Sequence, residues 1–520
     1  MRRASALLAL VATALLCAAC PRTPTTSDGD PVVAPPPAAQ SDAELEAKLR
    51  KSCALCHAFP EPAILPRGAW RTKVDRMYLL ANVQLALTYK EPIVGFTPEA
   101  AARWFDAHAP ERLDTPPWRD APGAPAVAWS RRDLAAPPVG GRPPGVASVR
   151  LARLDGPAAP LSVVACDMLG GRVLVGDPAA GAALTEVARL TAPAHAEAVD
   201  LDADGAPDLV VADLGDQGPT DERVGSVVWL RRTGPRAFER VDLATGLGRV
   251  ADVRAADFDG DGDLDLVAAV FGWYTSGQVL VLENTAARGA PPQFEPHTVD
   301  RRSGAITTPV LDLDGDGRLD FVVLLSQQHE RVVAFVNAGD CDFVAHELDV
   351  APHPLWGGSG LEPTDFDGDG DIDFLVTNGD TLDDTEKLKP WHGVAWLENQ
   401  GGLRFTRHVV GRHYGAHHAV AVDVDGDGDL DVVSASFLPD FSEEARRAAA
   451  TPGLVWFERT ADGSFAPHTL DDVPLAHAAL DAADLDGDGR AELVTGRLFV
   501  HPPFPADAER LVQVYTAAPR

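Results

Sequence analysis

Residues 53–57 read Cys-Ala-Leu-Cys-His, two thiols three positions apart with an imidazole directly after the second. On one turn of chain such thiols can both add to the vinyl groups of a porphyrin, while the adjacent imidazole reaches the iron. The spacing marks Cys53 and Cys56 as covalent haem anchors and His57 as the proximal iron ligand, with thiol redox chemistry as the rival use of the same residues. Iron bound on one face needs a partner on the other, and a thioether there raises the reduction potential relative to a second imidazole. Met77 is the expected distal ligand, His108 its competitor, and an open iron the third possibility.

A second chemistry recurs six times. The segments DLDADGAPDLVV at 200, DFDGDGDLDLVA at 257, DLDGDGRLDFVV at 312, DFDGDGDIDFLV at 365, DVDGDGDLDVVS at 423 and DLDGDGRAELVT at 484 are spaced by 57, 55, 53, 58 and 61 residues. In each, positions one, three, five and nine carry carboxylates. They are Asp200, Asp202, Asp204 and Asp208; Asp257, Asp259, Asp261 and Asp265; and Asp312, Asp314, Asp316 and Asp320. The later copies supply Asp365, Asp367, Asp369 and Asp373; Asp423, Asp425, Asp427 and Asp431; and Asp484, Asp486, Asp488 and Glu492. Four carboxylates brought together repel one another unless a hard cation joins them, and with no His or Cys in the cluster calcium fits better than zinc. Position seven varies freely, which suits a main-chain carbonyl ligand, and position six is always Gly, where the loop must turn sharply. An EF-hand would need Glu at position twelve; here it is Val211, Ala268, Val323, Val376, Ser434 or Thr495, followed by Val-rich strand sequence.

The elements that must position these groups follow from the pattern around them. Ser41 and Glu44 form a capping box that starts a helix running to the thiols. Trp70, Val74, Met77 and Leu80 recur at helical spacing, and Thr97-Pro98-Glu99 opens a third helix carrying Trp104 and Phe105. Three helices around one porphyrin make a small domain. The acidic loops repeat at the length of a four-stranded blade, which implies radial architecture. A second element, an aromatic strand at Phe238, Phe294, Phe343, Phe405 and Phe465, marks each blade's outermost strand; Trp129-Ser130-Arg131-Arg132-Asp133-Leu134 matches it before any blade has begun. The strand around Trp129 is therefore expected to complete the last blade and close the ring. Residues 152–177 align as a further blade whose loop keeps only Asp155, giving seven blades, six of them with calcium.

Residues 50 to about 113 resemble bacterial cytochrome c-like modules that precede propeller repeats, through CxxCH-x-FP-x-P, a following Trp and Met, and the Trp104-Phe105 pair. The acidic loops resemble the FG-GAP or VCBS repeats of integrin-type propellers over residues 127–520. Residues 15–20, Leu-Leu-Cys-Ala-Ala-Cys, resemble a bacterial lipobox with Cys17 where Leu is usual, which implies lipidation at Cys20. Arg2, Arg3 and the apolar run from Ala4 to Leu16 that follows them read as an export signal too short to span a bilayer.

The expected organisation is a signal at 1–20, a flexible Pro/Thr/Ala-rich tether at 21–40, an all-α cytochrome c-like domain at 41–113, a linker at 114–126 and an all-β seven-bladed propeller at 127–520. The total of 77 Asp+Glu against 45 Lys+Arg, a net charge of −32, repels phosphate backbones and argues against nucleic acid. Cys166 and Cys341 are left as free, partly buried thiols or a disulfide. His297, His346, His408 and His468 recur at one repeat position and read as structural, whereas His195, His418 and His477 fall near the channel. The resemblances imply an electron-transfer lipoprotein of the bacterial cell envelope, secreted if the lipobox is not used. Its partners would be a redox protein, the membrane through the lipid, and a small-molecule, glycan or protein ligand on the propeller. A periplasmic or extracellular redox enzyme whose propeller binds the substrate and whose haem accepts the electrons, and an adhesion or binding module, are the alternatives. No catalytic constellation stands out beyond these groups.

Overall fold

The structure is a computed structural model that describes residues 41–519 apart from 55–56, 89–94, 124–126, 137–138, 140–144, 180–182, 288–289, 383–387, 440–449, 472–475, 501–503 and 505–508. The export signal, the tether, Cys20, Cys56 and the side chain of Leu80 lie outside the described residues. Among the described residues no helix is long and apolar enough to cross a membrane.

Among the described residues three α-helices precede the ring: α1 (Asp42–Cys53), α2 (Trp70–Thr88) and α3 (Pro98–His108). The Ser41 hydroxyl accepts from Glu44 N–H while the Glu44 carboxylate accepts from Ser41 N–H, so two amides at the start of α1 are satisfied reciprocally. Thr97 caps α3 by accepting from Ala100 N–H, with Pro98 in the first helical position. Leu45, Leu49, Trp70, Val74, Trp104 and Phe105 form one buried cluster, in which the Trp70 and Phe105 rings stack 4.1 Å apart. Each such large apolar side chain contributes on the order of 2 kcal/mol. Leu355 and Trp391, from the ring, pack against this cluster and seat the helices on it.

The ring has seven antiparallel sheets. The first blade is Val146–Ala152, Ser162–Asp167, Arg172–Gly176 and Thr185–Arg189. Five blades follow, opening at Pro193–Val199, Val250–Ala256, Ala305–Thr307, Gly358–Thr364 and Ala416–Val422. The fourth blade's inner strand is broken, resuming at Val310–Leu311 after Pro309, a residue that cannot donate to a ladder. The seventh blade is His477–Ala483, Glu492–Arg497 and Arg510–Pro519, finished by Val127–Ala135, which pairs Trp129 with Ala517 and Leu134 with Val512. The Trp129 strand thus closes the ring as its sequence implies.

The second strand of every blade is buried along its whole length, which explains runs such as Leu209-Val210-Val211-Ala212 with no polar alternation. Seven apolar clusters fill the seven gaps between neighbouring blades, including the gap between the last and the first. No blade edge inside the circle is left unpacked among the described residues. Because strands within a blade are antiparallel, the acidic loops joining first to second strands all emerge on one face. The second-to-third connections and the blade-to-blade passages emerge on the other. Leu355 and Trp391 belong to that second set, so the helices sit opposite the acidic loops.

Candidate functional site

The helices and the ring enclose one mostly apolar cleft. On the helical side it is lined by Leu49, Cys53, His57, Trp70, Val74, Met77, Tyr78 and Phe105. On the ring side it is lined by Tyr274, Gln327, Gln328, Glu330, Leu355 and Lys389. Cys53, at the end of α1, His57, just beyond it, and Met77, on α2, therefore meet in one space, although 20 positions separate the last two in sequence. Trp70, Val74 and Met77 share a face of α2, which is how the helix brings the thioether there. His108 does not line the cleft; its Nδ1 lies 2.7 Å from the Trp104 carbonyl and its ring packs on Trp104.

The donor set suits an iron porphyrin. His57 Nδ1 lies 2.7 Å from the Ala58 carbonyl, and since a carbonyl only accepts, Nδ1 carries the proton and Nε2 keeps its lone pair for a metal. Burial pushes the His57 pKa down, which keeps the ring neutral. Cys53 is half-buried. Thiol, imidazole and thioether in an apolar cleft beside stacked aromatics are what the group needs. When bound, it would supply a one-electron couple. Cys53 and Cys56 would anchor it, and His57 and Met77 would hold the iron.

The acidic loops are shaped by their own amide hydrogen bonds. Asp257 accepts from Gly260 N–H and Gly262 N–H at 2.8 and 3.1 Å, Asp259 from Asp261 N–H and Asp261 from Asp263 N–H. The loops at 312, 365, 423 and 484 repeat these bonds residue for residue. Gly262 sits at φ 94°, which a side chain would strain, and Gly205 matches it at φ 91°; at position four, where Gly260 has φ 80°, the loop at 200 carries Ala203 at φ 55°. Carboxylate oxygens from positions one, three and five, or one, three and nine, lie within 4.8 Å of one another, as for Asp257, Asp259 and Asp265.

Position nine has a second task that the sequence did not show. Asp265 accepts from Phe258 N–H and Asn284 N–H, and Asp320, Asp373 and Asp431 repeat the bridge from loop to third strand. Burial raises these acids, Asp265 to about 6 and Asp431 to about 7. In the first blade, where the cluster has shrunk to Asp155, the Arg232 guanidinium of the second blade bonds both Asp155 and the Leu154 carbonyl. A fixed cation stands where the others collect carboxylates.

His297, His408 and His468 each lie 2.7 Å from a glutamate on the neighbouring strand, Glu283, Glu398 and Glu458. His195 Nδ1 is 2.8 Å from Asp252, His418 is 3.7 Å from Glu362, and His477 is buried beside Thr495. Burial holds these three near 4, 3 and 4, so they are neutral packing groups of the inner strands. Cys166 and Cys341 are both buried free thiols. The segment expected as a linker is docked: Trp118 donates to Asp120 and Thr469, and Tyr414 donates to the Pro116 carbonyl.

Residues 200–268 and 312–376 match the model of the FG-GAP-like repeat family. The chain is a seven-bladed β-propeller carrying FG-GAP-like repeats, an architecture suited to a binding platform. No curated protein matches it. Among solved structures, a lectin of Agrocybe aegerita that recognises non-reducing terminal N-acetylglucosamine is similar at 18% identity, over 74% of this chain and 99% of that one, with a TM-score of 0.38. The crystal structure of BBS1N in complex with ARL6DN is similar at 13% identity, over 74% and 96%, with a TM-score of 0.41.

Proposed function

We propose that this chain is a c-type haem electron carrier of the bacterial cell envelope, anchored by lipid at Cys20, whose calcium-braced propeller is the platform on which a redox partner docks. The observation that carries the reading is the meeting of Cys53, His57 and Met77 in one apolar cleft. His57 presents Nε2, Met77 offers a thioether, and Trp70, Phe105 and Leu49 give the cleft an apolar wall, which favours the uncharged state and so a higher potential. The six acidic loops would take about six calcium ions and stiffen the face opposite the cleft. Spectroelectrochemistry on chain matured in a host that makes c-type cytochromes tests the reading. A reversible one-electron couple that drops in Met77→Ala supports it, and a chain with no redox-active chromophore overturns it.

A second reading, a redox enzyme, is favoured by the unequal second-to-third connections on the cleft face, which run from 168–171 in the first blade to 214–224 in the second. Variable loops on one face of a regular scaffold are where ligands bind. Haem reduction by a candidate small molecule in the absence of any protein donor would favour it.

A further inference from the structure

We propose that the propeller supplies the second wall of the haem cleft and that Glu330, buried in that wall, sets the reduction potential of the iron held by the helices. The inference rests on the haem reading and adds to it a residue from the ring, distant in sequence from the CxxCH segment.

Glu330 lies at the end of the short connection 326–330 between the second and third strands of the fourth blade. Two non-glycine residues there, Gln327 at φ 57° and Glu330 at φ 46°, adopt left-handed backbone. Such conformations cost on the order of 1 kcal/mol each and persist where surrounding contacts fix them. Here Gly357 N–H and Gly358 N–H donate to the two Glu330 oxygens at 3.2 and 2.8 Å, and Ala351 N–H donates to its carbonyl at 3.0 Å. Gln327, Gln328 and Glu330 then face the cleft across from Cys53, His57 and Met77. The side chain is 6% exposed.

A carboxylate held in such a wall acts on a haem through charge. The ferric porphyrin carries one more positive charge than the ferrous, so a nearby anion favours the oxidised state and lowers the potential. The anion's strength depends on its neighbours. Asp380 and Lys389 face it from the fifth blade, His329 and Arg331 flank it in sequence, and Lys73, Arg76 and His57 stand on the helical wall. Burial outweighs the two amide bonds and lifts Glu330 to about 8. The group is thus protonated below that pH and charged above it, and the potential falls as pH rises through this range.

The test is the midpoint potential of the full haem-loaded chain from about pH 6 to about pH 10, beside Glu330→Gln, with haem content read by pyridine haemochrome. Expected are a fall centred near pH 8 in the parent, its loss in the variant, and a higher variant potential above that pH. A parent potential that is flat over this range overturns the inference without any variant, and so does a fall that persists in Glu330→Gln. A chain that carries no haem at all would instead overturn the reading beneath it.

Discussion

Removing divalent cation will lower the melting temperature of the ring by about 10 °C, an effect that can be worked from the loops. Five of the six loops are seen to bring carboxylate oxygens within 4.8 Å of each other, and the loops are folded by their own amide bonds, so an ion meets a shaped site. At a dissociation constant of about 10⁻⁴ M, the order found for extracellular calcium sites, about 1 mM ion would stabilise each site by about 1.4 kcal/mol and six sites by about 8 kcal/mol. For roughly 390 residues, at about 2.1 cal/mol/K per residue of unfolding entropy, that corresponds to about 10 °C. The assay is differential scanning calorimetry in chelator and in about 1 mM calcium, with magnesium as control. Identical transitions in chelator and calcium would refute the reasoning, since the relief of carboxylate repulsion is its only premise.

Other outcomes follow from named contacts. In chelator, stability will fall as pH rises from about 4 through about 7, because Asp265 and Asp431 have folded-state pKa values of about 6 and 7, above the usual carboxylate range, and hold protons that the unfolded chain has released. Urea melts across that range check the sign, and saturating calcium will remove the fall. Arg232→Ala will cost about 1–3 kcal/mol in urea unfolding, since it leaves the Leu154 carbonyl and Asp155 without their cation. Trp391→Ala will weaken the seat of the helices by about 2–4 kcal/mol and speed proteolysis between the helices and the ring, while far-ultraviolet circular dichroism of the ring stays unchanged.

The ring was the most legible part of the chain. Alternation of acidic and apolar positions shows which side of each loop faces the core, and the aromatic strand at Trp129 carries the closure of the ring in its own pattern. Helix starts at Ser41 and Thr97 were equally plain, because a capping residue and its partner lie within one turn. What a single sequence hides is contact between remote segments. Leu355 and Trp391 have nothing in their spacing to mark them as the seat for α1–α3, and Glu330 looks like any surface acid until Gly357 and Gly358 close over it. Arg232 likewise gives no hint that it replaces an ion one blade away. The double duty of position nine was hidden for a related reason, since its partners Asn284, Asn337, Asn399 and Arg459 lie 17–28 residues on.

Iron porphyrin bonded to Cys53 and Cys56, held between helices and ring, is the central proposal for this chain. Intact-mass measurement on the full chain, expressed with a c-type cytochrome maturation system and compared with Cys53→Ser, tests it most directly. The account predicts a parent mass raised by one haem that survives denaturation, and a variant that loses or weakens the attachment. A parent at its polypeptide mass, colourless after maturation, would contradict it.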